Sequence, residues 1–333
     1  MKLINLNLES TVTSSDFDRV VKWDLLIIGG GPAGLNAALY AKRKGLTCGI
    51  ISKEIGGQLH NTTDVDNYLG YKLIEGKDLS HQFVNHVNSL EVPIYKDVNV
   101  LSIEVMNPDF KISLDDGKVL YSKTLLMATG GMPKKLAVPG EEFYANKGVS
   151  YCTTCDAPFF KDKHVIVAGG GNSAAEAILD LSHWAQHITV VHRSQWRADK
   201  ILLDKIYALN NVTVHLETQL LEVFGEAQMT GVKVFDKTTK QEKTIAAQGL
   251  FIEIGNLPKS HLVRDLVQTN PQGEIIVDEN QMTSVPGLYA AGDVTQQVFK
   301  QIVISAADGA KAALAATQYL NQTYKENSNG EII

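Results

Sequence analysis

The pattern that most restricts this chain is a short apolar run, a glycine-rich turn and an alanine-rich helix, in that order, occurring twice. Leu25-Leu26-Ile27-Ile28 is continuous and not alternating, as expected of a parallel strand covered on both faces. Gly29-Gly30-Gly31-Pro32-Ala33-Gly34 follows at once. Leu35 to Lys44 then reads as a helix that Gly45 stops, and Leu46 to Ile51 as a second buried strand. Together these make a βαβ unit of about 30 residues. The unit returns as a strand over Val165 to Ala168, a turn over Gly169 to Ala174, a helix from Ala175 to about His183 and a strand over Ile188 to Val191. The spacing predicts an α/β chain with two Rossmann-like nucleotide-binding domains.

Gly29, Gly31 and Gly34 fit G-x-G-x-x-G between a strand and a helix. The first glycine makes the tight turn, the second lets backbone approach a pyrophosphate, and the third lets helix and strand pack closely. The helix amides then face the phosphates. An acid about 20 residues on is expected to bind ribose hydroxyls, and Glu54 stands at that distance from Gly34. A glycine turn with no ligand is the plainer alternative. In the second unit Gly169, Gly171 and Ala174 fit G-x-G-x-x-A, and the following strand ends in His192-Arg193, with Arg197 one helical turn on. A guanidinium can pair with a 2′-phosphate where an acid would favour an unphosphorylated ribose. This favours NADPH over NADH, against the alternative that both arginines are solvated surface charges. Two dinucleotide sites suggest a tightly held flavin and a diffusible nicotinamide that react with each other.

Between the units, Val98 to Val105, Lys111 to Leu114 and Lys118 to Tyr121 alternate around Asp115-Asp116-Gly117 and read as an antiparallel meander. A second meander is expected over Val212 to Val214, Gln219 to Phe224, Gly231 to Phe235 and Glu242 to Ala246. Leu125 to Gly130 and Leu288 to Asp293 are further strand-to-glycine endings, and Gln301 to Leu320 reads as a long helix. Residues 1–22 read as a poorly ordered or surface-packed arm and 321–333 as a frayed polar tail. Lys and Arg total 31 against 37 Asp and Glu, a balance that argues against non-specific nucleic-acid binding. The longest uncharged run, Leu25 to Ala41, has 17 residues and four glycines, short of a membrane span. With no signal peptide in view, a soluble cytoplasmic protein is the expectation.

Three cysteines exclude a disulfide-scaffolded secreted domain. Cys48 sits in an apolar stretch and reads as a small core residue. Cys152-Thr153-Thr154-Cys155 has three readings. As a zinc half-site it lacks a second pair of ligands, and no metal is expected. It could be a pair of buried structural thiols. As a redox dithiol it would use the lowered thiol pKa of C-x-x-C geometry. Its place just before the second nucleotide unit favours the last reading. So does Asp156, a carboxyl placed to give or take a proton, although a turn or helix-cap role would also account for that residue.

With these pieces in order, the chain resembles the low-molecular-weight thioredoxin reductases. The matching stretches are Gly29 to Gly34, Gly56-Gly57-Gln58, Asp66-Asn67, Ala128-Thr129-Gly130, Cys152 to Asp156, Gly169 to Ala174 and Ala290 to Asp293, spread over about residues 22–320. Cys155 to Lys161, Ala198-Asp199-Lys200, Gly273 to Ile276 and Lys300-Gln301-Ile302 resemble more closely a sister branch, the reductase half of the alkyl hydroperoxide reductase flavoprotein subunit. That branch carries extra N-terminal thioredoxin-like domains. The length leaves no room for them here, so a partner dithiol is expected in trans.

The resemblance implies a three-layer ββα arrangement in each domain, with the second domain inserted into the first. An FAD-binding domain would span 23–131 and 249–333, and an NAD(P)H-binding domain with the dithiol 132–248. Gly29, Gly31, Pro32, Ala33, Gly34 and Glu54 would hold the ADP half of FAD. Gly57, Gln58 and Asn67 would contact the flavin half, with Ala128, Thr129, Gly130 and Gly292 at the same site. Asp293 would bond the ribityl chain, and Gln301 and Ile302 would lie against the isoalloxazine. Gly171, Asn172, Ser173, Ala174, His192, Arg193 and Arg197 would hold NADPH. Cys155 would face the flavin, Cys152 would attack the partner's disulfide, and Asp156 would be the acid. The implied activity is thioredoxin-disulfide reduction by a homodimer, with thioredoxin or a thioredoxin-like or glutaredoxin-like protein as partner.

The sequence departs from that family at His192-Arg193-Ser194, where His-Arg-Arg is usual, and the segment to Arg197 is one residue short, so NADH stays possible. Ala157 replaces the usual Gly after the acid. A stand-alone reductase of a peroxiredoxin or of its thioredoxin-like partner is one alternative. A ferredoxin–NADP reductase, whose branch does without the dithiol, and a non-enzymatic flavoprotein sensor are others. Dithiol and nicotinamide cannot both meet the flavin while Cys152 meets a bulky partner, so a domain swing is expected, with hinges near Gly130-Gly131 and Ala246 to Gly249.

Overall fold

Side chains leave a strand alternately on opposite faces, so a strand packed on both faces must be apolar at every position. The computed structural model, which describes residues 17, 19–62 and 64–324, puts the first apolar run in that position. It divides into two compact units, one of residues 1–132 and 257–333, the other of 133–256.

In the first unit β1 (Trp23–Gly30), α1 (Pro32–Arg43) and β2 (Cys48–Ile55) form the expected βαβ turn. A short pair, β3 (Asp64–Val65) and β4 (Ile74–Glu75), leads into α2 (Gly76–Asn88). Then come β5 (Ile94–Lys96), β6 (Val100–Val105), β7 (Phe110–Leu114) and β8 (Val119–Met127). The sheet order is β5-β2-β1-β8-β7-β6. β1 runs parallel to β2 and β8, with Ile27 opposite Ile50 and Leu126, while β6, β7 and β8 are antiparallel neighbours. Leu25 and Ile27 pack on alanines of α1 and of the last helix (Ala37, Ala38, Ala312, Ala313). Leu26 and Ile28 pack on the meander side, with Phe110, Ile112 and Ile275. Helices thus cover one face of the parallel strands, and the meander strands that continue the same sheet pack with Leu26 and Ile28 on the other.

The chain leaves this unit through β9 (Gly131–Pro133). In the second unit β10 (Val149–Ser150) precedes the four-residue α3 (Thr153–Asp156). The second βαβ turn follows as β11 (His164–Ala168), α4 (Asn172–Leu181) and β12 (His187–Val191). After α5 (Lys200–Tyr207) and β13 (Val212–His215) come β14 (Thr218–Gly225), β15 (Met229–Asp236), β16 (Gln241–Ala246) and β17 (Gly249–Ile252). Five parallel strands lie in the order β10-β17-β11-β12-β13, and β14, β15 and β16 form a separate antiparallel sheet. Val165, Val167 and Ile188 pack against α4, whereas Ile166 and Ala168 pack against Val223, Val232 and Val234 of the meander. The chain returns through β18 (Asn256–Pro258), which pairs with β9. β19 (Leu288–Ala290) then joins β8 in the first sheet, and α6 (Ile302–Thr323) completes it.

Three features differ from the sequence reading. Val212 to Val214 is not part of the meander: β13 pairs parallel with β12, Ile188 facing Val212. A short apolar strand looks the same in either role, and the helix α5 before it supplies the crossover that a parallel partner needs. Gly249 to Ile252 is buried between β10 and β11, so the return to the first unit falls at 256/257 and not at 249, and the strand pairing leaves no room for a hinge at Ala246 to Gly249. Of the N-terminal arm, Phe17 is buried against Trp23 and Tyr95. Residues 1–16 and 18, like 325–333 of the tail, lie outside the described residues, but Tyr324 is tied by its hydroxyl to Asp109 at 2.8 Å.

Candidate functional site

The first glycine turn separates what the fold needs from what a ligand needs. Gly29 has φ +114°, and a Cβ there would lie 2.2 Å from the Ala128 carbonyl oxygen. A Cβ on Gly34 would lie 1.9 Å from the oxygen of Gly29, so helix and strand approach too closely for any side chain. Gly31 is different. Its backbone is extended, at φ −82° and ψ −174°, and its Cβ would find nothing nearer than Gly57 Cα at 4.0 Å. Nothing in the protein requires a glycine there. The open space lies at the amino end of α1, where unpaired amides favour an anion.

Gly57 borders that space, and the first unit also brings together other candidate residues far apart in sequence. Gly57 and Gln58 sit in a short 3₁₀ turn, and Gln58 Nε2 donates to the Gly131 carbonyl and to Asp293 Oδ2, both at 3.0 Å. Asp293 also accepts from Ser305 Oγ at 3.2 Å. Burial raises its carboxyl above the ordinary value, against the pull of Lys300, Ser305 and Gln58. Asn67 Nδ2 donates to Gln301 Oε1 at 3.2 Å. Gly292 follows β19, with Ala33 Cβ 3.2 Å from where its own Cβ would be. Thr129 Oγ1 bonds the Lys259 carbonyl at 2.7 Å, and Ala128 N the Ile28 carbonyl at 2.8 Å. Glu54, near the carboxyl end of β2, borders an open recess of about 260 Å³ with Lys53, His60, Lys96 and Asp97.

Sequence reasoning missed the pair that pins this loop. Lys300 Nζ lies 2.9 Å from Glu274 Oε1, each side chain 17% exposed. It also donates to the carbonyls of Thr295 at 2.7 Å and Asp293 at 3.3 Å. The contact holds the chain that carries Asp293 and Gln301. No local pattern announces it, because Glu274 belongs to a separate loop.

In the second unit Cys152 and Cys155 are joined by a disulfide, their Cα atoms 5.3 Å apart. Cys152 caps α3: the Cys155 amide donates to Cys152 Sγ at 3.3 Å and the Asp156 amide to the Cys152 carbonyl at 3.1 Å. The Cys155 amide aimed at Cys152 Sγ favours its thiolate once the bond is opened. Between the cysteines, buried Thr153 donates from Oγ1 to Glu253 Oε1 at 2.8 Å.

The second glycine turn repeats the logic of the first. A Cβ on Gly169 would meet the Glu253 carbonyl oxygen at 2.3 Å and the methyl of Ala174 at 2.8 Å, whereas a Cβ on Gly171 would meet nothing within 4 Å. Ser173 is exposed on the first turn of α4. Asn172 is engaged with the following loop, donating to Asp199 Oδ2 and accepting from the Asp199 amide, both at 2.9 Å. His192 is buried under the turn, its Nε2 3.1 Å from Ser194 Oγ. Burial and the neighbouring Arg197 hold its imidazole below the ordinary value. Arg193 and Arg197 are exposed, and among the described residues neither has a carboxylate partner. The Arg197 amide donates to the Gly170 carbonyl at 2.8 Å, which brings that residue against the turn.

Residues 23–309 match the family described as "pyridine nucleotide-disulphide oxidoreductase". The chain belongs to that family. This oxidoreductase is 41% identical, over 94% of its length, to an alkyl hydroperoxide reductase subunit of Staphylococcus aureus. It is 39% identical over 93% to the NADH dehydrogenase of Bacillus subtilis. It spans 62% and 61% of those relatives. Among solved structures, thioredoxin reductase from Streptococcus pyogenes superimposes with a TM-score of 0.86 at 38% identity, covering 91% of this chain and 99% of that one. The chain thus has the thioredoxin reductase fold within that family, and family and neighbour together imply FAD and a pyridine nucleotide. The open faces at Gly31 and Gly171, each at a helix amino end, fit the phosphates of those two groups. Among the described residues no helix is long and apolar enough to cross a membrane.

Proposed function

We propose that the chain is an FAD-dependent NAD(P)H:protein-disulfide reductase whose substrate is the disulfide of a thioredoxin or a thioredoxin-like protein. The observation that carries this is the Cys152–Cys155 disulfide at the cap of α3, in the same unit as the second open glycine turn. Bound flavin supplies two-electron transfer between a nicotinamide and a disulfide. The chain's own residues do the rest. Gly31 and the amino end of α1 receive the flavin nucleotide's pyrophosphate, Glu54 its ribose, and Gln58, Asn67, Asp293 and Gln301 its flavin half. Gly171 and the amino end of α4 receive the nicotinamide nucleotide, and Arg193 and Arg197, with no carboxylate partner among the described residues, favour its 2′-phosphate. Once the pair is reduced, the Cys152 thiolate attacks the partner's disulfide. Cys155 then resolves the mixed disulfide, and the bond between Cys152 and Cys155 is restored. Asp156 handles the proton that leaves with the partner's thiol.

A second reading, a reductase for a peroxiredoxin or its thioredoxin-like partner, is favoured by the identity with the alkyl hydroperoxide reductase relative across nearly the whole of this chain. Steady-state reduction of a panel of disulfide proteins, with NADPH and NADH side by side, decides between the two. Turnover with thioredoxin supports the first reading. Turnover only with a peroxiredoxin system supports the second. Protein-disulfide reduction that survives Cys152→Ser overturns both.

A further inference from the structure

β17 is the last strand of the second unit, yet it lies between β10 and β11, with Phe251 opposite both Ser150 and Val167. The first residue past β17 therefore stands between two structures that sequence keeps apart: the cysteine turn that follows β10 and the glycine turn that follows β11. That residue is Glu253. Its Oε1 accepts from Thr153 Oγ1, its amide donates to the Ala168 carbonyl at 2.8 Å, and its own carbonyl is the atom that excludes a side chain at Gly169. Carboxyl ends of parallel strands are where α/β folds place ligand chemistry, and a carboxyl in that position is costly to bury without a cation. Among the described residues no lysine, arginine or histidine pairs with Glu253.

We propose that Glu253 is a positioning residue for the dithiol: through Thr153 it holds the Cys152–Cys155 turn, and by gaining or losing a proton it sets how readily the reduced cysteines ionise. The proposal rests on the reading of that pair as the redox dithiol. The groups that act on Glu253 come from each element packed on it. Burial pushes its carboxyl up to about 7, Asp180 and Glu176 of α4 add to this, and the side-chain and backbone hydrogen bonds from Thr153 oppose it. Below that pH Glu253 is neutral and leaves a nearby thiolate undisturbed. Above it the carboxylate sits beside the cysteine turn and disfavours a second negative charge. Loss of the Thr153 hydroxyl removes a bond that favours the charged carboxyl, so it moves the protonation of Glu253 to higher pH.

The test uses the flavin-loaded chain reduced with excess dithiothreitol. The rate of iodoacetamide alkylation of Cys152 and Cys155 is followed by peptide mass spectrometry from pH 5.5 to 9. In the wild type the logarithm of the rate should bend near pH 7, in addition to the inflection of the thiol itself. Glu253→Gln should lose that bend, react about three- to tenfold faster at pH 8, and match the wild type within about twofold at pH 6. Thr153→Val should keep the bend but shift it upward. A purely structural role would change rates at all pH values alike. Superimposable profiles for wild type and Glu253→Gln overturn the proposal, as does a Thr153→Val bend that stays in place. The thiols are reduced chemically, so failure of the redox reading would show separately, as NAD(P)H leaving the Cys152–Cys155 bond intact in the holoenzyme.

Discussion

Gly171→Ala separates a glycine kept for the fold from one kept for a ligand. The backbone at 171 is extended, at φ −99° and ψ −174°, which alanine adopts freely, and its Cβ would have no protein atom within 4 Å. The fold should not object, and a narrower unfolded ensemble could add about 0.4–1 kcal/mol. The thermal midpoint of the nucleotide-free protein should therefore stay within about 2 °C of wild type or rise slightly. The methyl would instead intrude where a pyrophosphate is to lie. An overpacked contact costs about 1–3 kcal/mol, which at about 1.4 kcal/mol per decade weakens binding roughly five- to 150-fold. Calorimetric titration of the holoenzyme with NADPH and with NADH reads this directly. Binding as tight as wild type would refute the assignment of the open face to a phosphate. A midpoint lowered by more than about 5 °C would refute the claim that the fold tolerates a side chain there. Gly169→Ala is the control: its Cβ meets the Glu253 oxygen at 2.3 Å, and it should destabilise the protein without any ligand.

Gly34→Ala puts a methyl 1.9 Å from the Gly29 oxygen and should cost more than about 3 kcal/mol, read by denaturant unfolding; a loss under 1 kcal/mol would contradict the close helix–strand approach. Cys152→Ser should abolish reduction of protein disulfides while NAD(P)H still bleaches the bound flavin under anaerobic conditions, followed at 450 nm. Glu253, raised to about 7, keeps its proton in the folded state between about pH 4.5 and 7 where the unfolded chain has lost it. Stability should accordingly fall as pH rises through that window, by about 2–3 kcal/mol. Glu253→Gln should flatten this slope in chemical-denaturation series at several pH values, and an unchanged slope would assign it to other groups.

Both glycine turns were readable because their requirements are local. A tight turn, a helix amino end and a buried strand are each met by residues adjacent in the chain, so Gly29 to Gly34 and Gly169 to Ala174 announce themselves. The Cys152–Cys155 pair was readable for the same reason, with a separation of three. α2 has an equally local signal in Leu79, Phe83, Val84 and Val87, and it went unread. The role of Val212 to Val214 was not legible, since an apolar tetrad fits a parallel or an antiparallel partner equally well and only pairing with β12 selects one.

What the amino-acid order determined by itself is therefore the pair of glycine turns, the paired cysteines and the α/β class. What tertiary structure alone decided is which distant groups stand beside them. Gln58 meets Asp293 across 235 positions, and Thr153 meets Glu253 across 100. Lys300 finds Glu274 in another loop. Those meetings follow from strand order: β17 entering between β10 and β11, and β19 settling against β8. Strand order is a global choice, made by how whole faces are buried, and no short stretch of residues encodes it.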